Sequence, residues 1–316
     1  MATQQPLHFG VTLPQIKRTW EESARAAKAF DELGYDSVWV CDHLYGIPAP
    51  ENDILEAWSQ LAAVAAITDH VELGTLVTPP LFRNPAVLAK QIATIDHISG
   101  GRVIAGLGAG WFQDEYEGYG IEFPSTPDRM VALEESLELM KLMWTQDEVT
   151  YEGRFTKAKG VHCAPKPESP PKILVGGSGE KILMGIAARH ADIWNNLEVT
   201  QGELAQKVAA LHRRCEEYDR DPSTITVSQQ CTVVLASDET SAKENIERAK
   251  KIYGGHMGGA IEESGIWGTP EQVVEHINRH VEMGCTMFVF EFFGRDTTEP
   301  AALFAEQVMP EFAVAQ

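Results

Sequence analysis

Val71-Glu72-Leu73-Gly74-Thr75-Leu76-Val77-Thr78-Pro79-Pro80 leads through Arg83-Asn84 into Pro85–Ile98, and Arg102–Leu107 follows. Val71–Val77 is a short apolar run of strand length, and two prolines then forbid further regular structure. Arg83-Asn84-Pro85 starts a helix, and Arg102–Leu107 is a second buried strand. Together they make one β-α-β unit, the building block of a parallel sheet.

The same unit recurs on both sides. Upstream, strand Leu7–Leu13 precedes helix Trp20–Leu33, with Thr19 as N-cap, Glu22 at the capping-box position and Gly34 as the stop. Strand Ser37–Cys41 precedes helix Ile54–Ile67. Downstream, the pattern predicts helices at Asp128–Met143, Gly179–Arg189, Gln201–Tyr218, Ser241–Ile252, Thr269–Met283 and Ala301–Met309. The remaining strands are Lys172–Val175, Asp192–Asn195, Ile225–Leu235 and Met287–Phe292. Eight strands alternating with helices predict an α/β fold of the (β/α)₈ TIM-barrel class. The structural alternative is a doubly wound open sheet, but no glycine-rich fingerprint follows the first strand. The expected organisation is one domain over 1–316, with insertions near 110–127, 149–171 and 254–268. Gly254–Gly268 reads as a glycine-rich mobile loop, a candidate lid.

The chain has 316 residues, 44% hydrophobic and 23% charged, the composition of a globular protein with chain enough for a large core. Its formal charge of −20 argues against nucleic acid and against an anionic membrane surface. A local phosphate site is still compatible with it, because a few backbone amides suffice. The five cysteines are odd in number and form no CxxC, which disfavours a disulfide framework or zinc site and fits a reducing cytoplasm. His276 and His280 have helical i, i+4 spacing but no third ligand nearby, so no metal is expected.

Function in a barrel gathers at the C-terminal ends of the strands. Strand two ends in Asp42-His43, which reads either as a reacting pair or as a loop anchor. Strand four ends Gly106-Leu107-Gly108-Ala109-Gly110-Trp111. Its glycines allow a ligand to approach the backbone, and Trp111 reads either as a wall for a planar ring or as packing beneath the loop. Strand five ends Gly176-Gly177-Ser178-Gly179 and is expected to run straight into a helix. Free amides at a helix N-terminus make this the best phosphate site in the chain, an ordinary tight turn being the other reading.

Val40-Cys41-Asp42-His43, Leu81–Lys90 with Thr94–Arg102, and Gly106–Trp111 with Glu115-Tyr116 appear in order and at strand ends. With these features the chain resembles the bacterial luciferase-like superfamily, and specifically its F420-dependent oxidoreductase branch, from about Leu7 to Pro310. The resemblance implies a deazaflavin across the barrel mouth, with Asp42 and His43 beside the ring as catalytic and cofactor-binding residues. It implies a non-proline cis peptide at Leu76-Val77 behind the ring. Ala109, Gly110 and Trp111 would approach the cofactor, and Gly176, Gly177 and Ser178 would hold its phosphate. The partners implied are a small organic substrate and a second copy in a homodimer.

The chain departs from the family's sugar-phosphate dehydrogenases at two points. They have a catalytic Glu where Trp111 stands, and a Trp shortly after the Asp-His pair where Leu44-Tyr45-Gly46 stands. Glucose 6-phosphate oxidation is therefore in doubt, and Glu115 or Asp114 is left as a proton donor to be tested. An FMN-dependent monooxygenase of the same fold and a non-catalytic flavin-binding barrel are the alternative functions.

Overall fold

The structure, a computed structural model, describes residues 6–47, 49–253 and 261–313, without the side chain of Tyr253. The apolar runs pair in parallel and close on themselves. The barrel strands are β1 (His8–Thr12), β2 (Ser37–Val40), β3 (Glu72–Thr75), β4 (Val103–Leu107), β5 (Lys172–Gly176), β6 (Ile193–Asn196), β7 (Thr226–Leu235) and β8 (Met287–Phe292). Each pairs with its sequence neighbour, and β8 returns to β1 in parallel register. This is the eight-stranded TIM barrel that the alternation predicts.

Side chains alternate across each strand, so every second residue enters the barrel. Trp39, Ile104, Leu174, Ile193, Met287 and Val289 form a cluster of their own there, apart from the larger core under the helices. Trp39 is wholly buried and donates its indole N–H to Ser37 Oγ at 2.7 Å. Gly74 stands opposite Trp39 in register, and a Cβ there would lie 2.6 Å from Cε3 of the indole. The glycine in β3 therefore makes room for the tryptophan in β2.

The helix starts follow local chemistry. Thr19 and Glu22 form the expected capping box, with Glu22 N–H donating to Thr19 Oγ1 and Thr19 N–H to Glu22 Oε2. Asn84 caps Pro85–Ser99 by accepting from the amides of Ala86 and Val87. The segment 149–171 holds an antiparallel hairpin, Val149–Glu152 with Lys157–Val161. Glu135 fastens its turn by accepting from the amides of Arg154, Phe155 and Thr156.

Two expectations need correction. The helix expected from Gly179 begins instead at Leu183, after a turn. Glu180 is drawn sideways onto helix Leu204–Glu217, where Lys207 and Gln206 bind its carboxylate and Arg214 its carbonyl. The expected loop Gly254–Gly268 is regular over its described part: Ile261–Ser264 is a helical turn, and Ile266–Gly268 is a strand paired with Val233–Leu235. β7 outlasts β6 in the ladder and offers that edge. Residues 254–260 of the expected lid lie outside the described residues. Among the described residues no helix is long and apolar enough to cross a membrane.

Candidate active site

At the end of β2 the chain places two adjacent residues in opposite roles. Asp42 is 1% exposed and turns inward. Arg83 grips it with two prongs, Nη1 to Oδ2 at 2.6 Å and Nη2 to Oδ1 at 3.0 Å, the geometry of a charged pair. Thr78 donates its hydroxyl to Asp42 at 2.8 Å and accepts from the Trp58 indole at 3.0 Å. Glu56 forms a second ion pair with Arg83. Burial pushes the Asp42 carboxyl above its ordinary value, against the pull of Arg83 and Thr78. Burial disfavours the Arg83 charge as well, but Asp42 and Glu56 outweigh it and hold the guanidinium above its ordinary value. Both Asp42 oxygens are occupied by protein, so its geometry is that of an anchor for the β2 loop.

His43 turns the other way. Its Nδ1 lies 2.9 Å from Glu115 Oε2, and Glu115 also accepts from the amides of Leu44 (2.5 Å) and Tyr45 (3.2 Å). A carboxylate only accepts, so this contact places the proton on Nδ1 and leaves Nε2 with no protein partner among the described residues. The carboxylate fixes the imidazole by the logic of a carboxylate–histidine pair. Glu115 is fully buried on the short helix Gln113–Gly118, where it holds the His43 ring and the amides that follow it. The Trp111 ring meets the His43 ring edge-on at 5.9 Å, stacks on Phe112 at 5.2 Å, and is 55% exposed. With that exposure it is not packing beneath the loop.

The Leu76-Val77 peptide is cis, as the resemblance implied. After it the backbone rejoins β4, with Thr78 N–H donating to Gly106 O and Gly108 N–H to Thr78 O. Leu76 and Val77 cap the barrel's inner cluster. Val77 packs against both neighbouring strand ends: a Cβ on Gly176 would lie 2.7 Å from Val77 Cγ1, and one on Gly108 would strike Val77 Cγ2. The Val77 bulge, the β4 glycine and the β5 glycine thus form one apolar platform. Ala109 and Gly110 continue its rim, and Gly110 (φ 74°) backs onto the Tyr116 ring.

At the end of β5, Gly177 is already engaged, its N–H donating to Asn195 O and its carbonyl accepting from Trp194. The free donors therefore lie one step further on. No protein group accepts from the amides of Ser178, Gly179 and Glu180 or from the Ser178 hydroxyl among the described residues. The expected phosphate cradle is a loop of amides rather than a helix N-terminus. A flat platform, an imidazole nitrogen beside it and a nest of amides fit a planar ring with a phosphate tail.

The mouth also contains residues that the motifs did not reveal. Arg83, Thr78 and Trp58 lock Asp42, and Glu198, Thr232 and Glu291 line the far side. The Cys41 thiol is pushed up to about 12 by burial, with Glu291 and Asp42 adding to the shift, so it is no nucleophile at neutral pH.

The chain belongs to the luciferase-like monooxygenase family, whose model matches residues 3–262. An uncharacterised protein of Mycobacterium tuberculosis is 34% identical over 206 residues, 60% of this chain and 71% of that one. An F420-dependent glucose-6-phosphate dehydrogenase of Kineococcus radiotolerans is 28% identical over 97% of each chain. Among solved structures, an F420-dependent secondary alcohol dehydrogenase in complex with an F420-acetone adduct superposes with a TM-score of 0.85. It covers 98% of this chain and 100% of that one at 22% identity, a likeness of fold.

Proposed function

We propose that this protein is an F420-dependent oxidoreductase that moves a hydride between the deazaflavin and a small organic substrate. The observation that carries the reading is the platform of Val77 against Gly108 and Gly176, with His43 Nε2 free beside it. Full-length similarity to a dehydrogenase that uses F420 supports the choice of cofactor. The bound deazaflavin would supply or take the hydride, and the protein's part is orientation and electrostatics. Leu76, Val77, Ala109 and Gly110 would meet the ring, Trp111 would wall it, and Gly176, Gly177 and Ser178 would receive the phosphate. His43 would donate or accept a hydrogen bond at the reacting centre. Asp42 would act at one remove, by holding the loop that presents His43.

A substitution separates these roles. His43→Ala is expected to lower kcat by about 10²-fold or more while changing F420 affinity little. Lost cofactor binding with unchanged turnover at saturation would overturn the role given to His43.

The same reading treats 1–316 as one domain with insertions near 110–127, 149–171 and 254–268. It places the chain in the cytoplasm, where five free thiols are stable. It pairs the chain as a homodimer through the apolar face between helices Ala57–Ala65 and Pro85–Ser99, where Val87 and Ile98 are 55% and 48% exposed. A single-chain mass in sedimentation would contradict the dimer.

A further inference from the structure

The mouth has two unlike halves. The floor toward β3, β4 and β5 is the apolar platform. Toward β6, β7 and β8 it is polar. Met287 and Val289 point into the barrel, so Glu291, two residues beyond, continues their row. Thr232 lies opposite Glu291 in register and shares its direction. The turn Glu198–Glu203 after β6 folds over this pair, and Glu198 Oε1 accepts from the Thr232 amide at 3.2 Å.

Two polar atoms matter here. Glu198 Oε2 and Thr232 Oγ1 are both shut off from solvent and neither makes a well-formed hydrogen bond, although the Thr232 hydroxyl is near enough to the carboxyl to favour its charged form; Thr232 is wholly buried. Buried polar atoms are nearly always satisfied, so an orphaned carboxyl oxygen beside an orphaned hydroxyl in a cofactor mouth marks a place for a ligand atom. Among the described residues the charge that acts on Glu198 is Glu291, of the same sign. Burial pushes Glu198 up to about 8, Thr232 opposing and Glu291 adding to the rise. The other titratable neighbours among the described residues are the Cys231 and Cys41 thiols. Burial pushes up both, so neither brings a charge at neutral pH.

We propose that Glu198 is the proton-carrying group of the substrate site, and that the substrate is a small uncharged carbonyl compound or its alcohol, its oxygen seated between Glu198 and the Thr232 hydroxyl. The proposal rests on the F420 reading and deepens it. In the reducing direction the carbonyl carbon receives a hydride, which a reduced deazaflavin supplies. The carbonyl oxygen takes its proton from Glu198, leaving an alcohol and a carboxylate. In the oxidising direction the Glu198 carboxylate takes the hydroxyl proton as the hydride leaves for the oxidised cofactor. A protonated carboxyl and a hydroxyl suit a neutral oxygen, and neither supplies the positive charge that a phosphorylated substrate would need in a poorly solvated site.

The test begins without cofactor. Infrared difference spectra of wild type minus Glu198→Gln, recorded from pH 6 to pH 10, are expected to show one protonated carboxyl at neutral pH that titrates near pH 8. Glu198→Asp keeps a carboxyl and should restore a band. Absence of any carboxyl difference at neutral pH overturns the proposal. The substrate class is read by protection of wild type against heat with cyclohexanone and with glucose 6-phosphate as probes. Protection by the ketone alone is expected, and protection by the sugar phosphate overturns the proposal. F420 titration of the same samples separates the two readings. Wild type that fails to bind F420 overturns the cofactor assignment. Glu198→Gln that binds F420 normally yet turns over as fast as wild type overturns only the role of Glu198. The expected loss is about 10²–10⁴-fold in kcat with little change in cofactor affinity.

Discussion

Arg83→Met is expected to destabilise the protein by about 3–5 kcal/mol, because it leaves the Asp42 carboxyl buried without its charge partner. Asp42 is 1% exposed, and among its contacts only Arg83 supplies a positive charge within hydrogen-bond reach. The sign with pH is definite. Burial already raises the Asp42 carboxyl, and removing Arg83 raises it further. A group with a raised folded value contributes stability that is present in acid and lost as pH rises. The variant's deficit should therefore be smallest in acid and grow toward neutral pH. Adding Asp42→Asn should recover most of the loss, since the amide still satisfies the Thr78 hydroxyl without a charge. Denaturant unfolding of wild type, both single variants and the double variant measures this cycle. Equal stability of Arg83→Met and wild type at neutral pH would show that the pair does not anchor the loop.

Glu115→Ala carries the second large expectation. Glu115 accepts from two backbone amides and from His43 Nδ1, all from the loop after β2. Truncation leaves two N–H groups without acceptors, at about 1–3 kcal/mol each. It also frees the imidazole to rotate and to change tautomer. Glu115→Gln separates the two effects. Its amide oxygen can still accept the backbone N–H groups, but its NH₂ faces Nδ1 and forces the proton onto Nε2. Stability near that of wild type with kcat lower by about 10²-fold is expected for Glu115→Gln, and losses in both for Glu115→Ala. Full turnover in Glu115→Gln would mean that the His43 tautomer is irrelevant to the reaction.

The barrel was legible in the sequence because parallel strands covered on both faces are short unbroken apolar runs, and each of the eight stood between helical periodicities. The Asp42-His43 pair was legible as a strand-end motif, but its division of labour was not. That division depends on Arg83 and Glu115, which lie 41 and 72 residues further along the chain. Local signals hold no information about such contacts. The helix start after β5 was misplaced because Glu180 answers to Lys207, 27 residues away, rather than to its own neighbours. Ile266–Gly268 is too short to show a period, and it becomes a strand only because β7 overhangs its partner. Glu198 looked like one more acid in an acidic chain. Its burial and its orphaned oxygen arise where the turn after β6 closes over β7.

All of these roles presuppose a deazaflavin on the Val77 platform, and the direct measurement is a fluorescence titration of the purified protein with F420 and, separately, with FMN. Tight binding of F420 and weak binding of FMN is the predicted result. Tight FMN binding with weak F420 binding would contradict the account and move the protein to the oxygen-using flavin monooxygenases of the same fold.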